Sequence, residues 1–335
     1  MDKKTTTKKM YQTAVCIALI IACGNTATAQ EGKTNQAHVG LIYPLSTNGK
    51  TAPADTNNLS LHLISGISQQ ENNFLLAGVA GVVKGTAYGT MISGVYNRVG
   101  GNSAGVLAAG VLNQVKQDAR GIQLAGLTNI TAQSAGFQAA GLINKSGDAH
   151  TQVAGLINIA KRVKGVQVAG LINIAEQSDY PIGLLNIIQD GELSLGITVD
   201  EAGGSILAFR SGGNVLYGII GLGYQFKHHE ARYQLEGGIG AHLIATKAFR
   251  MSTELVSAAM TNFEDGVYGK QSLRALGGWH ITPYVELIAG PTFNHLLFDN
   301  DQIDIRNGRY LWQSNGDDLS NGFYIGGILG LQFSL

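Results

Sequence analysis

A nine-residue pattern, Gly-x-Gln-x-Ala-Gly-Leu-x-Asn, recurs through the first half of the chain and constrains its fold more than any other feature. It reads Gly121-Ile-Gln123-Leu-Ala-Gly126-Leu-Thr-Asn129 and Gly136-Phe-Gln138-Ala-Ala-Gly141-Leu-Ile-Asn144. Gln152-Val-Ala-Gly155-Leu-Ile-Asn158 and Gly165-Val-Gln167-Val-Ala-Gly170-Leu-Ile-Asn173 follow. Weaker copies centre on Gly78, Gly94, Gly110 and Gly183, and successive central glycines stand 16, 16, 16, 15, 14, 15 and 13 residues apart. A unit of this length is one supersecondary element that must stack on its neighbours to bury anything.

With period two, the copy around Gly170 separates into Val166, Val168, Gly170, Ile172 and Ile174 on one face and Gln167, Ala169, Leu171 and Asn173 on the other. A strand of about ten residues and a polar turn fill the period. The turns are stretches such as Lys116-Gln-Asp-Ala-Arg120, Lys145-Ser-Gly-Asp148 and Glu176-Gln-Ser-Asp179. Two architectures use such a unit. In an antiparallel meander each copy is one strand, with the aliphatic and amide parities facing different surroundings. In a parallel β-solenoid each copy is one coil, with Asn and Gln stacked in ladders.

The second half favours the meander. From about residue 191 the segments lengthen and keep the alternation: Leu193, Leu195, Ile197 and Val199 against Glu192, Ser194, Thr198 and Asp200. Tyr233, Leu235, Ile239, Ala241 and Leu243 oppose Gln234, Glu236 and His242, while Leu273, Ala275, Trp279 and Ile281 oppose Ser272, Arg274 and His280. Val285, Leu287 and Ala289 oppose Glu286 and Thr292. In the last segment Phe323, Ile325, Gly327, Leu329, Leu331, Phe333 and Leu335 share a face, as in the assembly signal of outer-membrane barrels, though with Leu335 in place of a terminal aromatic. Charged residues are only 14% of the chain, too few for the polar side of a soluble sheet. Lipid-spanning strands of about ten residues must close into a barrel, because an open edge would leave backbone groups unpaired in hydrocarbon. Counting from Val39 gives about eighteen strands. On that count the long connections Thr47 to Asn58, Lys227 to Arg232, Asn262 to Lys270 and Asp299 to Asn321 share one side. Tight turns at Ser211-Gly-Gly-Asn214 and Thr282-Pro283 lie on the other.

The expected fold is therefore all-β, an antiparallel up-and-down transmembrane β-barrel of roughly 16–18 strands. Residues 30–190 would supply repeat-bearing strands and 191–335 the C-terminal strands of the same barrel. The alternative is a parallel β-solenoid of ~15-residue coils followed by a smaller antiparallel β domain.

The first 29 residues read as an export signal. Lys3, Lys4, Lys8 and Lys9 precede an apolar run from Thr13 to Cys23, and Ala27-Thr28-Ala29 before Gln30 fits a cleavage site. Ile20-Ile21-Ala22-Cys23 also resembles a lipobox, so lipidation at Cys23 is the alternative. Either route leads out of the cytoplasm, to the outer membrane or cell surface.

The repeats resemble a bacterial surface-repeat family of Gram-negative envelopes. Two flanking signatures share the resemblance: Ile42-Tyr-Pro-Leu-Ser-Thr-Asn-Gly49, and Pro181-Ile-Gly-Leu-Leu-Asn-Ile-Ile188 followed by Val199-Asp-Glu201. It covers residues 38–225 well and the remainder loosely. It implies envelope placement and carries over no catalytic residues.

Chemistry is sparse. Lys+Arg and Asp+Glu balance at 23 each, which excludes a charge-driven nucleic-acid binder. Gly101-Asn-Ser103-Ala-Gly105 matches a nucleophile elbow but has no helix to follow it. His228-His229-Glu230 and the acidic stretch Asp299 to Asp304 read as solvated loops rather than metal ligands. No enzyme activity, cofactor or metal is expected. The polar residues expected to face the barrel interior are Gln123, Gln138, Gln152 and Gln167, with Asn129, Asn144, Asn158 and Asn173. Glu192, Asp200, Glu236, Arg250, Glu254, Arg274 and Glu286 join them, since charges at mid-bilayer depth avoid lipid. They would pair with one another or line a path for solutes. The functional expectation is an outer-membrane barrel of structural or passive-channel role, with membrane lipid and, through its last strand, the barrel assembly machinery as partners. The alternative is an exported surface solenoid for adhesion or ligand binding.

Overall fold

The glycine at the centre of each repeat is a corner. A Cβ at Gly126 would stand 2.0 Å from the carbonyl oxygen of Gly110, and one at Gly141 would stand 2.2 Å from that of Gly126. Only a residue without a side chain lets consecutive copies approach so closely. The chain therefore runs through one strand, bends at Gly-Leu, and runs back through a shorter one. Ala119–Ala125, the corner Gly126-Leu127 and Thr128–Thr131 make one such coil.

A computed structural model describes residues 32–335 except 247, 265, 266, 307 and 317. The expected signal peptide over 1–29 and the alternative lipidation site Cys23 lie outside the described residues. Equivalent strands of successive coils pair in parallel and in register, Gln123 with Gln138 and Asn129 with Asn144. One sheet runs from Thr34–Ile42 to Gln177–Ile182, and the facing sheet from Ser65–Ser68 to Leu185–Ile188. The repeat half is thus a parallel β-solenoid, the alternative reading of the repeats. The connection from Thr47 to Asn58, expected as a barrel loop, holds the 3-10 helix Gly49–Ala54, which packs on the solenoid's first coil.

The expected ten-residue strand is divided in two, because the bend at glycine resets the alternation. Ala169 and Leu171 were expected on one face, yet Ala169 is buried and Leu171 is 44% exposed. At the glutamine and asparagine columns the parity is inverted relative to a soluble protein. Gln167 and Asn173 point inward, while Val166, Leu171 and Ile174 point out. Near the first coils the same interior columns turn apolar, with Leu75, Met91 and Leu107 in line with the glutamines.

The second half forms a closed antiparallel barrel. Its eight strands are Glu192–Asp200, Gly204–Gly212, Leu216–Gln225, Tyr233–Ala245, Phe249–Thr261, Val267–Thr282, Val285–Asp299 and Leu319–Ser334. The last strand closes on the first, with Leu195 opposite Phe333 and Val199 opposite Leu329. The expected antiparallel barrel is present, but its eight strands come from this half alone rather than 16–18 from the whole chain. Both halves alternate with period two, so strand parity could not tell a lipid-facing wall from a solenoid with a polar core. The connections after the third, fifth and seventh strands lie on one rim. The tight turns at Gly213 and Pro283 lie on the other, beside the solenoid.

Candidate functional site

The repeat asparagines and glutamines are the solenoid's core rather than a barrel lumen. Asn97, Asn113, Asn129, Asn144, Asn158, Asn173 and Asn186 stack one per coil, each amide donating to the next side-chain oxygen at 2.8–3.0 Å. The same amide nitrogens donate across to backbone carbonyls of the facing sheet, such as Asn113 to Leu124 at 2.7 Å and Asn158 to Val168 at 2.6 Å. The ladder therefore ties coil to coil and sheet to sheet.

The glutamine ladder runs the other way. Gln138, Gln152 and Gln167 each donate to the glutamine of the preceding coil, at 2.7, 2.8 and 3.0 Å. Thr131 also donates to Gln123, at 2.8 Å. Amide dipoles add head to tail within each ladder, and the opposed directions offset one another across the core. Buried amides tolerate this interior because almost every donor and acceptor finds a partner.

The barrel lumen holds the expected charges, in pairs. Arg210 Nε donates to Glu254 at 2.7 Å, and Tyr217 Oη donates to the same carboxylate at 3.1 Å. Arg274 donates to Glu236 at 2.7 Å and to Glu254 at 3.4 Å. Towards the loop rim, Lys270 and Gln225 donate to Asp200 at 3.1 and 3.3 Å. Towards the solenoid end, Glu192 meets His242 at 2.6 Å, Gln332 at 2.6 Å and Arg250 at 3.3 Å, and Arg250 also pairs with Glu286. Arg210, Lys270 and Gln332 were not among the expected site residues. Their parity in the strand pattern carried the signal, and for Arg210 the run Leu207-Ala-Phe-Arg210 places it opposite the outward Leu207. Side chains of this size fill an eight-stranded barrel. At the solenoid end a shallow space of about 300 Å³ is lined by Glu192, His242, Arg250 and His280.

The outer wall is apolar, with aromatic clusters near both rims. Towards the loop rim Tyr224 packs on Phe226 and Tyr233, and Tyr233 on Phe263, with ring centroids 5.1–5.7 Å apart. Towards the turn rim Phe249 packs on Trp279 at 5.5 Å. Between them Leu235, Ile239, Leu255 and Leu273 are exposed. Along the fifth strand, from Phe249 to Thr261 opposite Tyr233, the clusters are separated by roughly 30 Å at a typical barrel tilt.

The weaker candidates take structural places. Ser103 is buried in a column between Ala87 and Ala119. His229 contacts Arg232 in the loop after the third barrel strand. Asp304 accepts from the Tyr310 hydroxyl at 2.6 Å and from the Arg306 and Gly308 N–H groups. Burial, with Asp304 beside it, pushes the Tyr310 phenol up. In the first coils a separate buried cluster joins His38, Asn57, Ser60 and Glu71, with His62 against His38 at 4.4 Å. Burial, with His38 beside it, lowers the His62 pKa to about 4, and burial raises that of Glu71.

No protein-family profile matches this chain, and no curated protein matches it. Among solved structures it is similar to one described as de novo design of transmembrane β-barrels. The identity is 11% and the TM-score 0.26, over 43% of this chain and 96% of that one.

Proposed function

We propose that this chain is an outer-membrane protein whose barrel is a closed anchor for the solenoid. The observation that carries the reading is the apolar wall between aromatic clusters near the two rims, wrapped around a lumen whose charges pair with one another. Aromatic residues concentrate at the two water interfaces of a bilayer. Even the shortest barrel strands, of 9, 9 and 10 residues, meet the length a tilted membrane strand needs. Bacterial barrels put long loops outside and short turns towards the periplasm. The solenoid, attached to the outer wall beside the turn rim, then lies at the periplasmic face of the membrane. The expected export signal and the resemblance to envelope surface-repeat proteins support an envelope location for the chain as a whole, and the last strand is the one an assembly machinery would read.

A structural role is preferred over a passive channel, because Arg210, Glu236, Glu254 and Arg274 are all buried where a path would have to pass. The test is purification with and without detergent, gel migration before and after boiling, and planar-bilayer conductance. The reading expects detergent dependence, a heat-modifiable band and no steady conductance. A protein that stays monodisperse without detergent overturns the membrane placement, and stable single-channel steps overturn the closed anchor.

A further inference from the structure

The solenoid meets the barrel on its outer wall. Ser211 and Gly218 face each other across the second and third barrel strands, and their neighbours Arg210 and Tyr217 point into the lumen. Ser211 therefore has outward parity. It is nevertheless buried, because the last coil lies against it. Asn186 bonds to Ser211 through its backbone and its side chain, and a Cβ at Gly218 would stand 2.6 Å from the Gly183 carbonyl oxygen. A coil stacked with its open end against the wall sends the solenoid axis outward from the barrel, along the plane of the membrane.

The order of contacts fixes the rotation about that axis. At the hairpin tip, Asn214 donates to Asp179 at 3.3 Å, and a Cβ at Gly213 would meet the Ser178 carbonyl. Further up the wall, Ser211 and Gly218 meet Asn186 and Gly183. The coil's turn edge thus lies level with the rim, and its glycine corner lies nearer the barrel's middle. Beyond the corner the wall continues with the outward pairs Phe209–Ile220 and Leu207–Leu222.

The two edges differ in chemistry to match. On the corner edge every residue that follows the repeat glycine is aliphatic, including Val95, Val111, Leu127, Leu142, Leu156 and Leu171. Their backbone N–H groups each donate to the corner carbonyl of the preceding coil at 2.9–3.2 Å. The edge offers no unpaired donor at these positions, the condition for contact with hydrocarbon. The turn edge carries Lys116, Asp118, Lys145, Lys161, Arg162 and Glu176.

We propose that the glycine-corner edge of the solenoid is embedded in the acyl-chain region of the leaflet at the barrel's turn rim, with the charged edge in water. The proposal rests on the reading that the barrel spans a membrane. From Leu63 to Leu184 the edge is about 40 Å long at the usual spacing of paired strands. Acyl chains conform to such a convex edge. An identical convex edge would meet it over a narrow strip only, so a second copy fits it poorly.

The test uses full-length protein with Cys16→Ser and Cys23→Ser, reconstituted in phosphatidylcholine nanodiscs with tail-brominated lipid. Single cysteines carrying an environment-sensitive dye are placed at Val111→Cys, Leu127→Cys and Leu142→Cys on the corner edge. Lys116→Cys and Lys161→Cys report the charged edge, and Leu255→Cys the barrel wall. The inference expects the corner labels to be quenched at least half as strongly as the Leu255 label, and the lysine-edge labels to stay unquenched. Three successive coils are probed so that one poorly folded variant does not decide the matter. A quenched Leu255 label with unquenched corner labels overturns the embedded edge and leaves the barrel reading standing. An unquenched Leu255 label overturns both. Corner labels that are shielded from lipid, with the same cysteines cross-linking between copies when left unlabelled, overturn the lipid contact in favour of a dimer.

Discussion

The backbone N–H of Asn186 donates to the Ser211 hydroxyl at 3.1 Å, and the Asn186 side-chain amide donates to the Ser211 carbonyl at 3.2 Å. The pair ties the last rung of the asparagine ladder to the barrel wall, while the same amide also donates to the Gly183 carbonyl of its own coil at 3.1 Å. Stacked repeats need a distinct cap at each end. Here the barrel wall is the cap at one end, and the segment around Gly49–Ala54 covers the other.

Ser211→Ala removes the hydroxyl from this buried site and adds no bulk. The Asn186 N–H is then buried without its partner, which costs about 1–3 kcal/mol locally. Hydrogen exchange of the amides in Leu185–Ile188 should accelerate, while the barrel's heat-modifiable migration stays unchanged. Unaltered protection of those amides would show that the cap contributes nothing.

Asn144 sits inside the ladder and Asn97 at its start. Asn144 accepts from Asn129 at 2.9 Å and donates to Asn158 at 3.0 Å and to the Val153 carbonyl at 2.7 Å. The Asn97 side-chain oxygen has no partner to lose. Asn144→Ala should destabilise the solenoid by about 2–4 kcal/mol, more than Asn97→Ala, because it orphans buried groups on both sides. Denaturant unfolding followed by a probe within the solenoid measures both, and equal losses would contradict the ladder's directionality.

Gly126→Ala tests the corner. The added carbon would have to occupy space 2.0 Å from the Gly110 oxygen, so the two coils must part. The variant should lose the solenoid's cooperative transition, whereas Ala139→Gly, on the open outer face, should cost no more than about 1 kcal/mol. A Gly126→Ala protein that unfolds like the parent would mean that the close stacking is not required.

The first coils should respond to acid through His62. Burial with His38 beside it lowers the His62 pKa to about 4, below its unfolded value near 6.5. The folded coil then binds fewer protons than the unfolded chain, so this contribution is full above pH 6.5 and is lost as pH falls towards 4. Glu71, whose pKa burial raises, acts with the opposite sign and gains as pH falls. His62→Asn should make the thermal transition of the solenoid less sensitive between pH 6.5 and 4. A parent transition that is flat over that interval would refute the assignment.

Much of this architecture was legible as parity. Leu329 and Ile325 face out and Gln332 and Tyr324 face in, as alternation in the last segment requires. The same rule misassigned the repeats to membrane strands, because alternation reports that two faces differ and not which face is interior. Asn173 and Gln167 are inside for a reason visible only in three dimensions: each finds its amide partner in the neighbouring coil. The corner at Gly170 was hidden as well, since a glycine in a strand pattern is ambiguous until a backbone is seen approaching it. Charge pairs such as Arg210 with Glu254 join residues 44 positions apart, and no local pattern encodes that partnership.

Arg210 and Glu254 also decide between a filled and a conducting lumen. Arg210, Arg274, Glu236 and Glu254 form a balanced group of two cations and two anions. Arg210→Met leaves both carboxylates facing Arg274 alone, an uncompensated buried charge that should cost about 3–5 kcal/mol. Adding Glu254→Gln removes the excess anion and leaves Arg274 with Glu236, its two nitrogens 2.7 and 3.3 Å from the carboxylate oxygens. The double variant should therefore recover to within about 1–2 kcal/mol of the parent, a strongly non-additive cycle. The fraction of heat-modifiable barrel against urea concentration measures each step. In a hydrated lumen, water would screen the lone carboxylate, and Arg210→Met would cost under about 1 kcal/mol with no rescue by Glu254→Gln. That outcome would replace the closed anchor with an open path.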